Sequence, residues 1–188
     1  MVNRAESVAA TGERILDAAV ELFWELSGEP ISRDEVARRA GVSVQTVIRR
    51  FGGRDGLVAA AADREAGRVS GQRARAPVGD VAGAVRVLVD HYEEMGDRVV
   101  RLLAEEERNT GVRDVVQRGR ALHRQWCARV FAPALQGRTG VERDRLLAQL
   151  VAVCDVYSWK LLRRDAGLSR PQTELAVIEL LEPLLEGR

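Results

Sequence analysis

Apolar residues recur along this chain at helical spacing. Ile15, Leu16, Ala19, Leu22, Phe23 and Leu26 form a three-and-four stripe that predicts an amphipathic helix. Thr11 is its expected N-cap, with Glu13 in the first turn, where the helix dipole favours a carboxylate. Ser27-Gly28-Glu29-Pro30 is the expected stop. Ser32-Arg33-Asp34-Glu35 then reads as a capping box for a short second helix with Val36, Ala37 and Ala40 on its inner face. Gly41 ends that helix, because the turn after it wants a residue tolerant of positive φ. Ser43 caps a third helix over residues 44–51, which Gly52-Gly53 stops. A fourth begins near Asp55, with Leu57, Val58 and Ala61 facing inward.

Residues 67–79 are polar, carry Gly and Arg and contain Pro77, so they read as the end of helix four and a connector. Beyond them the pattern predicts helices over 80–96, 98–109, 113–135 and 143–164. A final helix is launched by Ser169-Arg170-Pro171-Gln172 and carries Leu175, Ile178, Leu181, Leu184 and Leu185. The 143–164 segment is apolar around most of its circumference, as expected for a helix buried on two sides. With no alternating strand pattern and no internal repeat, the fold class is all-α. The expected units are a helix-turn-helix domain over 10–70 and a second helical domain over 80–188.

Composition narrows the possibilities. The chain has 188 residues, of which 46% are hydrophobic and only 4% aromatic, so aliphatic side chains fill the core. No apolar run approaches the roughly 18 residues needed to span a bilayer. The stretch Met1-Val2-Asn3-Arg4-Ala5-Glu6-Ser7 lacks the apolar centre of a secretory signal, so a cytoplasmic protein is expected. Cys127, Cys154, His91 and His123 show no metal-ligand spacing. Two free buried thiols are expected, with no metal and no cofactor. Neither a nucleophile–base pair nor a Gly-rich phosphate loop is present, and an enzyme is not expected.

Net charge is only +1, so its distribution matters more than its sum. Residues 36–54 contain no acid but carry Arg38, Arg39, Arg49, Arg50 and Arg54, which reads as a local basic face. That face coincides with two short helices joined by Gly41-Val42-Ser43, the layout in which a second helix enters the DNA major groove. Val47 and Phe51 pack inward with Val42, leaving Gln45, Thr46, Ile48, Arg49 and Arg50 pointing outward. Those side chains offer hydrogen-bonding groups for base edges and cations for phosphates.

The sequence Val36-Ala37-Arg38-Arg39-Ala40-Gly41-Val42-Ser43, followed by Thr46-Val47, Phe51, Arg54 and Leu57, resembles the N-terminal domain of the tetracycline-repressor (TetR) family. The resemblance covers residues 14–62, about a quarter of the chain. It implies a transcriptional regulator that binds palindromic operator DNA as a homodimer, most often a repressor released by a small molecule. It further implies that Val44, Gln45 and Ile48 approach base edges. Thr46, Arg49, Arg50 and Arg54 would meet phosphates, with Arg33 and Ser43 also at the DNA. Ile48 stands where the family usually has Tyr, and Arg50 where His or an aromatic is common, which bears on operator sequence rather than on DNA binding.

The same resemblance implies a dimer interface built from the last two long helices, with Leu146, Leu150, Val153, Tyr157, Leu161, Leu175, Ile178, Leu181 and Leu185 as candidates. For an effector site in the second domain, Tyr92, Met95, His123, Trp126, Cys127, Asp155 and Trp159 are candidate lining residues. The competing reading is a helical small-molecule-binding protein whose DNA-binding head no longer functions.

Overall fold

The computed structural model describes residues 2–26 and 31–186, with side chains from residue 6 onward. The expected stop at Ser27-Gly28-Glu29-Pro30 lies outside the described residues. Helix α1 (Val2–Leu26) starts well before Thr11, whose hydroxyl donates to the Ser7 carbonyl at 2.8 Å from inside the helix. Thr11 is therefore not an N-cap, and the good helix formers between Ala5 and Ala10 carry the helix upstream of the apolar stripe.

Helix α2 (Arg33–Ala40) begins at Ser32, whose extended backbone suits an N-cap but whose side chain makes no capping bond. The expected capping box does not form. Glu35 is drawn instead to Arg38 and Arg39, since two guanidinium donors outcompete a neutral amide. Gly41, at φ 66°, ends the helix in the left-handed conformation, where a β-carbon would be strained. Helix α3 (Val44–Phe51) is capped as expected, the Ser43 hydroxyl accepting from the Thr46 amide at 3.2 Å. Helix α4 (Arg54–Ala74) continues through Gly67 and Gly71, so the connector is shorter than the composition suggested. Ile15, Ala19 and Leu22 of α1, Val36 and Ala40 of α2, Val47 of α3 and Leu57 and Ala61 of α4 form one buried cluster.

Three differences mark the remainder. Helix α5 (Val81–Ala104) runs unbroken through the expected gap at 97, because Gly96 lies against the indole of Trp159 and serves close packing rather than a turn. Helix α6 (Thr110–Val130) ends at Phe131, and the four-residue α7 (Ala132–Leu135) follows with Pro133 in its first turn. The expected 143–164 helix is divided into α8 (Gly140–Val153), α9 (Val156–Lys160) and a π-helical turn (Leu161–Asp165). Asp155 makes the division by capping α9, its carboxylate accepting from the Tyr157 amide at 2.9 Å. The Cys154 carbonyl left free there accepts from the Tyr92 hydroxyl at 2.9 Å.

Helix α10 (Arg170–Leu185) opens with the capping box read from Ser169 and Gln172. A second cluster, including Leu88, Tyr92, Trp126, Phe131, Leu150, Trp159 and Leu181, joins α5, α6 and α8–α10. A small third cluster of Leu102, Val112 and Val116 receives Phe23 and Trp24, and so fastens the end of α1 to α5 and α6. Cys127 and Cys154 are buried free thiols, as expected. No helix among the described residues is long and apolar enough to cross a membrane.

Candidate nucleic-acid interface and internal cavity

Helix α3 is an eight-residue rod about 12 Å long, held from behind by buried Val47 and half-buried Val42 and Phe51. Gln45, Ile48, Arg49 and Arg50 stand exposed on its other side, with Arg54 exposed at the mouth of α4 and Arg33 at the start of α2. Val44 and Thr46 are half-buried at the N-terminal turn. The Thr46 and Ser43 hydroxyls lie 3.0 Å apart, so the capping pair presents polar groups at the helix end that would approach DNA. Ile48, 39% exposed, is an apolar side chain amid polar neighbours.

The basic face is smaller than the acid-free segment implied. Arg39 donates to Glu25 of α1 at 2.7 and 2.8 Å and to Glu35 at 2.9 Å, while Arg38 also clasps Glu35. These bonds hold the Glu35 carboxyl down at about 2. Two of the five arginines are thus engaged by acids lying outside the segment in sequence but beside it in space. Arg38 and Arg39 brace α2 rather than offer free charge. Arg33, Arg49 and Arg54 form no ion pair with any described residue. The Arg50 guanidinium leans over Gly12 of α1, where any β-carbon would collide with it. Arg14 of α1 donates to the Ala40 carbonyl at 3.3 Å, tying the end of α2 to the same helix.

The candidate interface residues divide. Leu146, Leu150 and Leu181 are buried in the chain's own core, which corrects their assignment to a dimer surface. Leu161 and Leu175 are 60% and 55% exposed, and Tyr157 also faces outward. Val153, Ile178 and Leu185 are half-buried. Val141 and Leu180, not among the candidates, add to the exposed apolar surface of α8 and α10.

A cavity of about 660 Å³ opens between α1, α4, α5 and α6. Its wall is mostly apolar, with Phe23, Val69, Met95, Val99 and Val116 along it, and its size suits a small organic molecule. Tyr92, Met95, His123, Trp126 and Asp155 line it as expected, whereas Cys127 and Trp159 do not. Cys127 sits behind the wall, 3.8 Å from His123 Nε2. Trp159 braces α5, its N–H donating to Glu93 at 3.2 Å and its ring covered by the Arg164 guanidinium at 4.5 Å.

The most informative lining residue was not anticipated. Arg73, within the 67–79 stretch that reads as the end of helix four and a connector, is buried in the last turn of α4 and donates to His123 Nδ1 at 2.8 Å. A four-residue step from Leu57 through Ala61, Glu65 and Val69 reaches Arg73, so extending the inward face of α4 would have found it. His91, beside it, donates from Nδ1 to Gln72 at 3.1 Å. Burial, and then the Arg73 cation, hold its pKa down at about 3, so this ring is neutral.

Residues 15–61 match the family model described as bacterial regulatory proteins, tetR family. No curated protein matches the sequence. Among solved structures, a transcriptional regulator of Rhodococcus sp. Rha1 superposes with a TM-score of 0.66 at 21% identity, covering 93% of this chain and 96% of its own. A protein of Pseudomonas aeruginosa PAO1 assigned as a transcriptional regulator also gives 0.66, at 18% identity over 98% and 92% of the two chains. NalD, the secondary repressor of the MexAB-OprM multidrug efflux pump in Pseudomonas aeruginosa, gives 0.55 at 20% identity over 96% and 97%.

Proposed function

We propose that this chain, whose residues 15–61 match the model of the tetR family of bacterial regulatory proteins, is a DNA-binding transcriptional regulator that acts as a ligand-responsive repressor, binding palindromic operator DNA in the cytoplasm as a homodimer. In this reading residues 10–70 read DNA, and residues 80–188 dimerise and contribute most of the effector site. Gln45, Val44 and Ile48 approach base edges, where the Ile48 methyls suit a thymine methyl. Arg33, Arg49 and Arg54 meet phosphates, and Arg50 joins them by swinging off Gly12. The Ser43–Thr46 pair offers hydroxyls at the backbone.

The observation that carries the proposal is the presentation of α3, with its inner face anchored on Val47 and its outer face carrying exposed Gln45, Arg49 and Arg50. One such rod makes few contacts, and two related by symmetry, about 34 Å apart, reach successive major grooves. The exposed apolar residues Leu161, Leu175 and Leu180 supply a self-complementary surface for that pairing. Coupling follows from α4, which packs against Phe51 of α3 at one end and walls the cavity from Val58 to Arg73. A ligand that prefers one setting of α4 and α1 shifts the heads by its differential affinity for that setting.

Selection of fragments bound from genomic DNA, followed by footprinting, tests this reading. An inverted repeat with half-site centres a whole number of helical turns apart, protected by a protein dimer, is the expected result. Bound fragments that share no symmetric motif would refute it.

A further inference from the structure

Resting on the reading of the cavity as an effector site, we propose that it takes an amphipathic monoanion: a carboxylate on an elongated apolar body, with the acid seated on Arg73. Arg73 is only 8% exposed, and its guanidinium lies 5.5 Å from the ring centres of both Tyr92 and Trp126. An arginine keeps its charge in a protein, and a buried charge without a counterion is costly. Yet no described carboxylate pairs with this one. Glu65 and Asp155 line the same cavity but are engaged elsewhere, Glu65 by Arg68 at 2.8 Å and Asp155 by the Tyr157 amide at 2.9 Å.

The partners that Arg73 does have are neutral. His123 accepts at Nδ1, which leaves its proton on Nε2, 3.3 Å from the Val151 carbonyl. The two π faces attract a cation without neutralising it. Arg73 Nε has no hydrogen-bond partner among the described residues, so the guanidinium retains an open donor. A carboxylate matches this deficit in charge and in geometry, because a guanidinium can bind both of its oxygens. A neutral apolar ligand would leave the charge uncompensated, and a cation would be repelled.

The shape of the ligand follows from the rest of the wall. Trp24 Nε1 is the second buried donor without a partner among the described residues, and it too lines the cavity. It lies with the cluster of Leu102, Val112 and Val116, whereas Arg73 contacts Tyr92. Tyr92 and Leu102 are ten residues apart on α5, a rise of about 15 Å. The acid-binding and indole ends are therefore separated by a long apolar channel containing Met95 and Val99. A hydroxyl or carbonyl at the far end of the ligand would meet the Trp24 N–H.

Titration of the full chain with decanoate and with decan-1-ol, below their micelle-forming concentrations, tests the proposal through tryptophan emission. Trp24 and Trp126 both line the cavity and report occupancy. The expected result is decanoate binding at least tenfold tighter than the alcohol, with that preference abolished in Arg73→Met while alcohol binding persists. Arg73 accepts bonds from Trp126 and Arg129 only through its backbone carbonyl, so the substitution leaves those contacts in place. Should Arg73→Met not fold, Arg73→Lys retains the charge without the fork and is expected to narrow the preference. An alcohol that binds the wild type as well as the acid would overturn the anion class and leave the effector site standing. Failure of both probes to bind folded, DNA-binding protein would overturn the effector site and the anion together.

Discussion

The division of arginines into free and engaged groups makes the salt dependence of DNA binding a quantitative test. Each phosphate contact releases a counterion, and for duplex DNA the slope of log affinity against log salt is about −0.9 per contact. Arg33, Arg49 and Arg54 pair with no acid among the described residues, so the proposed dimer brings about six contacts, rising to about eight when both Arg50 side chains leave Gly12. The expected slope is roughly −5 to −7, or about a thousandfold or more loss of affinity between 50 and 200 mM salt. Arg49→Ala and Arg54→Ala should each remove one contact per protomer and flatten the slope by about 2. Arg39→Ala should leave the slope nearly unchanged, because its side chain is committed to Glu25 and Glu35. Fluorescence anisotropy on the selected operator, over a salt series for each variant, provides the measurement. A slope that responds to Arg39→Ala as strongly as to Arg49→Ala would refute the assignment of charges.

Further consequences concern stability and assembly. His91 titrates at about 3 when folded against an ordinary 6.5, so the unfolded chain takes up the proton first as pH falls. The stability tied to the neutral ring is complete above pH 6.5 and is lost from there toward pH 3, by about 2 kcal/mol at pH 5. Arg73, Arg68 and His123 are the charged or titratable groups acting on it. Urea unfolding at pH 7 and pH 5 should show His91→Gln losing correspondingly less than the wild type, and equal losses would contradict this account. Gly96→Ala forces a methyl into the Trp159 ring and should cost about 1–3 kcal/mol. An unchanged urea midpoint would show that the indole yields freely. Leu161→Glu with Leu175→Glu should produce a folded monomer by light scattering. Leu150→Ala should instead lose about 2–5 kcal/mol of stability as a core residue. A double glutamate variant that stays dimeric would place the interface elsewhere.

Local chemistry was legible in the sequence itself. The turn at Gly41, the Ser43 cap, the inner position of Val47 and the capping box at Ser169 depend on spacing and on the conformational range of a few adjacent residues. Those constraints act within one or two helical turns and need no partner from elsewhere. What tertiary structure decided was the company each side chain keeps. Glu25 comes from a different helix to occupy Arg39, so a stretch without acids is not a stretch without counterions. Trp159 meets Gly96 across more than sixty residues and turns an expected break into close helix packing. Asp155 divides an apolar segment into shorter helices, and the resulting geometry buries Leu150 while leaving Leu161 outside. Arg73 shows the same division most sharply: its place on the inward face of α4 follows from helical period, but its burial among neutral rings exists only once α5 and α6 close around it.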